Sequence, residues 1–349
     1  MRWCTLVSIL LSLAAETPER SRYSPPVAAL ATGGPNRLPG GRNRPPGSPS
    51  ATAGSALAGG AGLALIVQSE RTMARAAQVA KFVDEPIEEA DCSRAVLVSS
   101  LASEAHLWLA RTDAMAARTI ARAEQLLDAD ERRRLSTFIS ESERHHFLVG
   151  RALMRATLAR YLPDGPSELC IERGRFGRPK LRLESGDPPL NFSQSQADGL
   201  CACLVTSGAS CGVDVERIID VSDLSRVTGL AFAASEQRVM AGLSAEQRRE
   251  RFFSFWTLKE AYTKARGTGL SFQLDRAAFD IDGATARLRD EPDLNDSPGD
   301  WQFHLQTLEP DLSLSVALRR GAAPDLRVVT RWTQLGSVGA IAADLRVGR

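Results

Sequence analysis

The stretch FFSFWTLKEAYTKARGTGL, Phe252 to Leu270, constrains the fold more than any other part of the chain. Phe252, Phe253, Phe255 and Trp256 load one helix with so much apolar surface that it must be embedded. Trp256, Glu260 and Lys264 are spaced four apart and form one stripe on that helix. On an exposed helix, Glu four residues before Lys is an ordinary ion pair worth about 0.2–0.5 kcal/mol. On an embedded helix a carboxylate needs a partner from elsewhere in the fold. Gly267-Thr268-Gly269 follows, allowing a sharp exit and a close approach of backbone to a ligand.

A seam divides the chain near residue 100. Pro35 to Gly62, PNRLPGGRNRPPGSPSATAGSALAGGAG, is dominated by Pro, Gly, Ser and Ala and has no sustained period. Such a run cannot bury enough apolar surface to offset its ordering entropy, so residues 1–100 are expected to be a disordered extension. The opening MRWCTLVSILLSLAAE has the basic start and short apolar run of a secretion signal. An upstream extension or an over-long start, with Met73 as one alternative start, accounts for it at least as well. No stretch reaches the roughly 20 apolar residues needed to span a bilayer. The 43% hydrophobic and 24% charged residues are those of a globular protein, and the net charge of +1 gives no whole-chain field for nucleic acid or a membrane. Six cysteines form no C-x-x-C pair and only four histidines are present, so a structural zinc site has little to draw on. Scattered buried thiols suit a reducing, cytoplasmic setting.

Beyond the seam, HLWLARTD (106–113) reads as a first strand and 129–162 as helical. In that helical block Arg144, Arg151 and Arg155 recur away from an apolar stripe. Strand-like pieces follow at ELCIER, PKLRLE, PLNFSQS, GLCACLVTS and CGVDVERI, then a second helical block from Ser235 to about Arg266. FDIDG, WQFHLQTL, LSLSVALR and LRVVTRW complete the strands. Strands and helices thus come twice in similar order, which predicts an α+β protein of two related lobes with a cleft between them: 101–210 and 211–345.

In GVDVERI, Asp214 and Glu216 share one strand face and Val213 and Val215 the other. Two carboxylates held that close repel unless a cation neutralises them, and oxygen-only ligands suit Mg²⁺. The alternative is an edge strand with its charges in water. Glu260 would complete the metal set, and Lys264, one turn further on, would reach a phosphate on that metal. Arg175, Arg178 and Lys180 sit on a stiff basic turn which, with Arg144 and Arg151, can hold a polyanion or be a plain solvated loop.

Together, GVDVE and FWTLKEAYTKARGTGL some forty residues later resemble the paired signature of the Sfp-type 4′-phosphopantetheinyl transferases. ERHHFLVGRALMR, FGRPKL, NFSQS and FAASEQ are similar to other segments of that family, and the likeness covers about residues 104–340. The resemblance implies two pseudo-symmetric lobes with coenzyme A in the cleft. It implies Mg²⁺ held by Asp214, Glu216 and Glu260, with Glu260 as base and Lys264 at the departing adenosine 3′,5′-bisphosphate. Coenzyme A would be gripped by Arg144, Arg151, Arg178, Ser193, Gln194 and Lys264, and the acceptor would be a serine of an apo acyl or peptidyl carrier protein. The activity implied is of the holo-[acyl-carrier-protein] synthase type, in a monomer that binds neither nucleic acid nor membrane. Two positions depart from the family: Arg178 stands for a usual Lys, and Gln194 for a usual His beside the 3′-phosphate.

Two rivals carry different functions. A Mg²⁺-dependent nuclease shares D-x-E with a downstream Glu and Lys, but carries its Glu-x-Lys on a strand, and DNA-binding surfaces are usually more basic. A non-catalytic carrier-protein binder would keep the fold, yet has no need for Asp214, Glu216, Glu260 and Lys264 together.

Overall fold

The computed structural model of the chain describes residues 83–84 and 93–333, apart from 113–116, 175–177, 198, 222, 270–271, 292–293, 295 and 309–310. Most of the segment expected to be an extension lies outside the described residues. Its last eight residues do not behave as one. Ser93 N-caps the helix Arg94–Ser100 (α1), and Leu97 buries into the first core.

The elements after α1 fall into two similar series. The first holds β2 (Glu104–Arg111), helices α2 (Ala117–Gln125), α3 (Ala129–Leu135) and α4 (Glu141–Leu158), and the strands β3 (Ile171–Arg173) to β6. Of these, β4 is Pro179–Leu181, β5 Leu190–Ala197 and β6 Leu200–Ser207. The second begins with β7 (Ser210–Arg217), then α5 (Leu224–Ala231), α6 (Ala234–Ala241) and α7 (Ala245–Arg266). It continues with β8 (Phe279–Asp282), β9 (Thr285–Leu288), β10 (Trp301–Leu308) and β11 (Leu312–Arg319). In each series the opening strand, β2 or β7, pairs antiparallel with the second strand of a later hairpin, β5–β6 or β10–β11. This repeated topology is the pseudo-symmetry expected from the order of elements.

The last strand departs from that expectation. β12 (Arg327–Trp332) was expected in the second lobe, but it pairs parallel with β2. The first sheet therefore runs β1 (Val83–Asp84), β12, β2, β6, β5, and the second runs β7, β11, β10, β9, β8. The open edge of β2 accepts β12, Arg327 pairs with Glu104, and Val328 enters the core between the sheets. Both expected helical blocks are also interrupted. Ser140 N-caps α4 after a break from α3, and Ser244 starts α7 with a capping box to Gln247 after Gly242 ends α6.

Three apolar clusters set the layers. One lies between the two sheets and is fed by Leu107, Leu204, Val213, Val215 and Val316. A second packs α4 on the outer face of the first sheet, and a third packs the aromatics of α7 on the second. β6 is apolar on both faces because it serves two of these cores. The valines of β7 thus point between the sheets, and its alternate residues Gly212, Asp214 and Glu216 point at α7. A Cβ at Gly212 would overlap the Ala261 carbonyl oxygen, so glycine there lets α7 lie directly on β7.

Candidate active site

The close approach at Gly212 brings Lys264 down onto Asp214. Asp214 is 3% exposed, so the reading of an edge strand with its charges in water does not hold. Lys264 Nζ donates to Asp214 Oδ1 at 2.6 Å, to Ser195 Oγ at 2.9 Å and to the Val213 carbonyl at 2.9 Å. Ser195 Oγ in turn donates to Asp214 Oδ1 at 2.8 Å. Lys264 and Glu260 therefore do not form an exposed pair along the helix; the lysine is spent on β7 and β5.

Charge does not balance around that lysine. Glu216 and Glu260 are half-buried beside Asp214, and Lys264 is the one cation that lowers the carboxyl values of both among the described side chains. Burial first, and then the Asp214 charge, push Glu216 up to about 9 and Glu260 up to about 7, with Lys264 opposing both. Asp214 Oδ2 is buried and has no hydrogen-bond partner among the described residues. An orphaned carboxylate oxygen next to two carboxylates that burial and mutual repulsion drive toward neutrality suits a hard divalent cation. As they stand, no three His, Cys, Asp or Glu side chains among the described residues are gathered closely enough to hold an ion.

The basic residues separate into those that face outward and those that hold the fold. Arg144 is exposed and pairs with Glu124 at 2.9 Å. Arg151 lies over the Phe147 ring, 3.7 Å from Glu131, and burial lowers its pKa. Arg155, from the same stripe, is fully buried, bound to Asp128, to Glu131 at 2.5 Å and to the Pro166 and Leu169 carbonyls. Arg178 donates to the carbonyls of Phe192, Cys211 and Ala265, tying β5 and β7 to the end of α7. Lys180 is exposed, and Arg175 lies outside the described residues.

Ser193 and Gln194 are neighbours in sequence and face opposite ways. Ser193 Oγ accepts the Val213 N–H at 3.1 Å, on the side of β7. Gln194 stands over α4, where a Cβ at Gly150 would overlap it and Gln196. Ser195 was not singled out from sequence, although strand alternation places it on the same face as Ser193. Glu236, in the FAASEQ segment, is likewise not part of the cluster. It is buried against Lys259 at 2.8 Å.

Comparison with known proteins shows the family of the chain. Residues 210–317 match the 4′-phosphopantetheinyl transferase superfamily, and residues 115–207 match the 4′-phosphopantetheinyl transferase N-terminal family. The chain is 31% identical over 171 residues to the 4′-phosphopantetheinyl transferase HetI of Nostoc sp., covering 49% of this chain and 72% of that protein. It is 28% identical over 234 residues to a phosphopantetheinyl transferase of Thraustochytrium sp., covering 63% of this chain and 80% of that protein. The chain belongs to the 4′-phosphopantetheinyl transferase superfamily, and its activity is that of a transferase.

Proposed function

We propose that this protein transfers 4′-phosphopantetheine from coenzyme A to a serine of an apo acyl or peptidyl carrier protein, with Mg²⁺ as the cation. The observation that carries the reading is the buried, orphaned oxygen of Asp214, whose charge raises both Glu216 and Glu260 while Lys264 opposes it. Asp214, Glu216 and Glu260 are the residues that would hold the ion. When bound, a divalent cation supplies charge neutralisation for the pyrophosphate oxygens.

The chain's own residues do the rest. Glu260, directly or through a water, is the group assigned to take the proton of the acceptor serine. The serine oxygen forms a bond to the β-phosphorus, and the bond from that phosphorus to the bridging oxygen breaks. The bridging oxygen leaves on adenosine 3′,5′-bisphosphate, and Lys264 meets the charge that develops there. Arg144, Arg151, Arg178, Ser193 and Gln194 are assigned to coenzyme A, the exposed Arg144 most directly and Arg178 through the segments it ties together. The protein acts in the cytoplasm as a monomer.

The test is incubation with coenzyme A, Mg²⁺ and a panel of apo carrier proteins, scored by intact mass. A gain of one phosphopantetheine on a carrier supports the reading and identifies the partner class. No mass gain on any member, with a folded protein, overturns it.

A further inference from the structure

The hydroxyl of Ser195 lies between two groups whose contact must change during the reaction. An ammonium has three donors and no lone pair. All three donors of Lys264 are engaged, with Asp214 Oδ1, Ser195 Oγ and the Val213 carbonyl. Lys264 therefore cannot meet a departing phosphate without leaving one partner. The Val213 carbonyl is fixed, because β7 is in register with β11 (Val213 opposite Val316) and the Val213 N–H is held by Ser193. Asp214 is the anion that a divalent cation would claim, through its unpartnered Oδ2, and a cation there repels the ammonium on Oδ1.

We propose that Ser195 is a positioning residue for Lys264. With the Val213 carbonyl it forms a fixed two-point mount, while the third N–H is exchanged between Asp214 and a phosphate oxygen of the leaving group. The hydroxyl is chemically suited to this. It has one proton, which goes to Asp214 Oδ1, and its lone pair accepts from Lys264. It is neutral, so a cation at Asp214 does not displace it, and it keeps a link between the carboxylate and the lysine after their direct contact opens. This inference rests on the phosphopantetheinyl-transfer reading.

The experiment is a double-mutant cycle on the full chain, Ser195→Ala with Lys264→Ala, measuring transfer by mass and Mn²⁺ binding by calorimetry without coenzyme A. Ser195→Ala is expected to lower kcat about ten-fold, the scale of one hydrogen bond to a charged group. KM for coenzyme A and Mn²⁺ affinity should stay within about three-fold. In the Lys264→Ala background the same substitution should change kcat less than about two-fold, because the group it acts through is gone. Ser195→Thr, which keeps the hydroxyl, should recover most of the loss. Ser195→Cys keeps the size with a weaker acceptor and should behave like alanine, which covers a poorly folded Ser195→Ala. Unchanged kcat in Ser195→Ala, or a full ten-fold loss persisting without Lys264, overturns the role of Ser195 alone. A wild-type protein that transfers nothing overturns the underlying reading as well.

Discussion

Helix α7 carries two lysine–carboxylate pairs five residues apart, and they are opposites in everything but their chemistry. Lys259 and Glu236 meet at 2.8 Å with both side chains 0% exposed. Lys259 also donates to the Leu274 and Ala277 carbonyls, and Glu236 accepts the Ala233 and Phe279 N–H groups at 2.9 Å each. One cation meets one anion and the remaining polar capacity is filled. Lys264 and Asp214 meet at 2.6 Å, but two further carboxyls feel the same lysine's charge and Asp214 Oδ2 has no partner among the described residues. The first arrangement is complete without a ligand. The second leaves one carboxylate oxygen and two raised carboxyls without a matching donor or cation among the described residues. Burial does not distinguish the two pairs; the balance of charge and donors does.

The largest effect that tests this contrast is Asp214→Ala. Transfer should fall by about a thousand-fold or more, roughly 4 kcal/mol in the barrier, with the melting temperature held or raised. Removing the Asp214 charge relieves its repulsion of Glu216 and Glu260 in the unloaded site. A folded variant with near wild-type turnover would remove Asp214 from the chemistry.

Next comes Lys259→Ala, which strips a buried carboxylate of its partner and should cost about 3–5 kcal/mol of stability. Denaturant unfolding measures this, and the Lys259→Met, Glu236→Leu double substitution should recover much of the loss. A small cost for Lys259→Ala would mean that the Glu236 carboxyl finds adequate hydrogen bonds alone, and the contrast would weaken.

A smaller effect is in pH. Glu216 and Glu260 have folded-state values of about 9 and about 7, above the usual carboxylate range. The folded state thus holds protons that the unfolded chain has released, so stability falls as pH rises from about 4.5 toward 9. Without divalent ions the melting temperature should decline over that window. The decline should be shallower in Glu216→Gln and largely reversed by Mg²⁺. A flat profile in the absence of metal would show that the carboxylates are not crowded in solution.

The smallest expected effect concerns Gln194→His. A cationic imidazole makes a stronger hydrogen bond to phosphate than a neutral amide does, so preference for coenzyme A over 3′-dephospho-coenzyme A should rise several-fold, about 1 kcal/mol. An unchanged or lowered kcat/KM ratio would mean that Gln194, which stands over α4 and faces away from β7, does not meet the 3′-phosphate.

Local pattern alone was enough for much of this protein. The alternation of GVDVERI placed the valines in the core and the acids together, and Gly267, at φ 72°, ends α7 where the Gly-Thr-Gly run predicted an exit. Most strands and the repeated order of elements were legible too, because they follow from periods of two and 3.6 residues and from turn residues. What the sequence could not reveal depends on partners distant along the chain. The period of β12 shows a strand but not which open edge receives it, and the arginine stripe shows a helical face but not that Arg155 is buried between Asp128, Glu131 and two carbonyls. Ser195 stayed hidden for the same reason, since a serine has no pattern of its own until folding sets it between Asp214 and Lys264. Whether a charge on α7 is structural or reactive was likewise decided only by which carboxylates the tertiary structure brings to it, and how many.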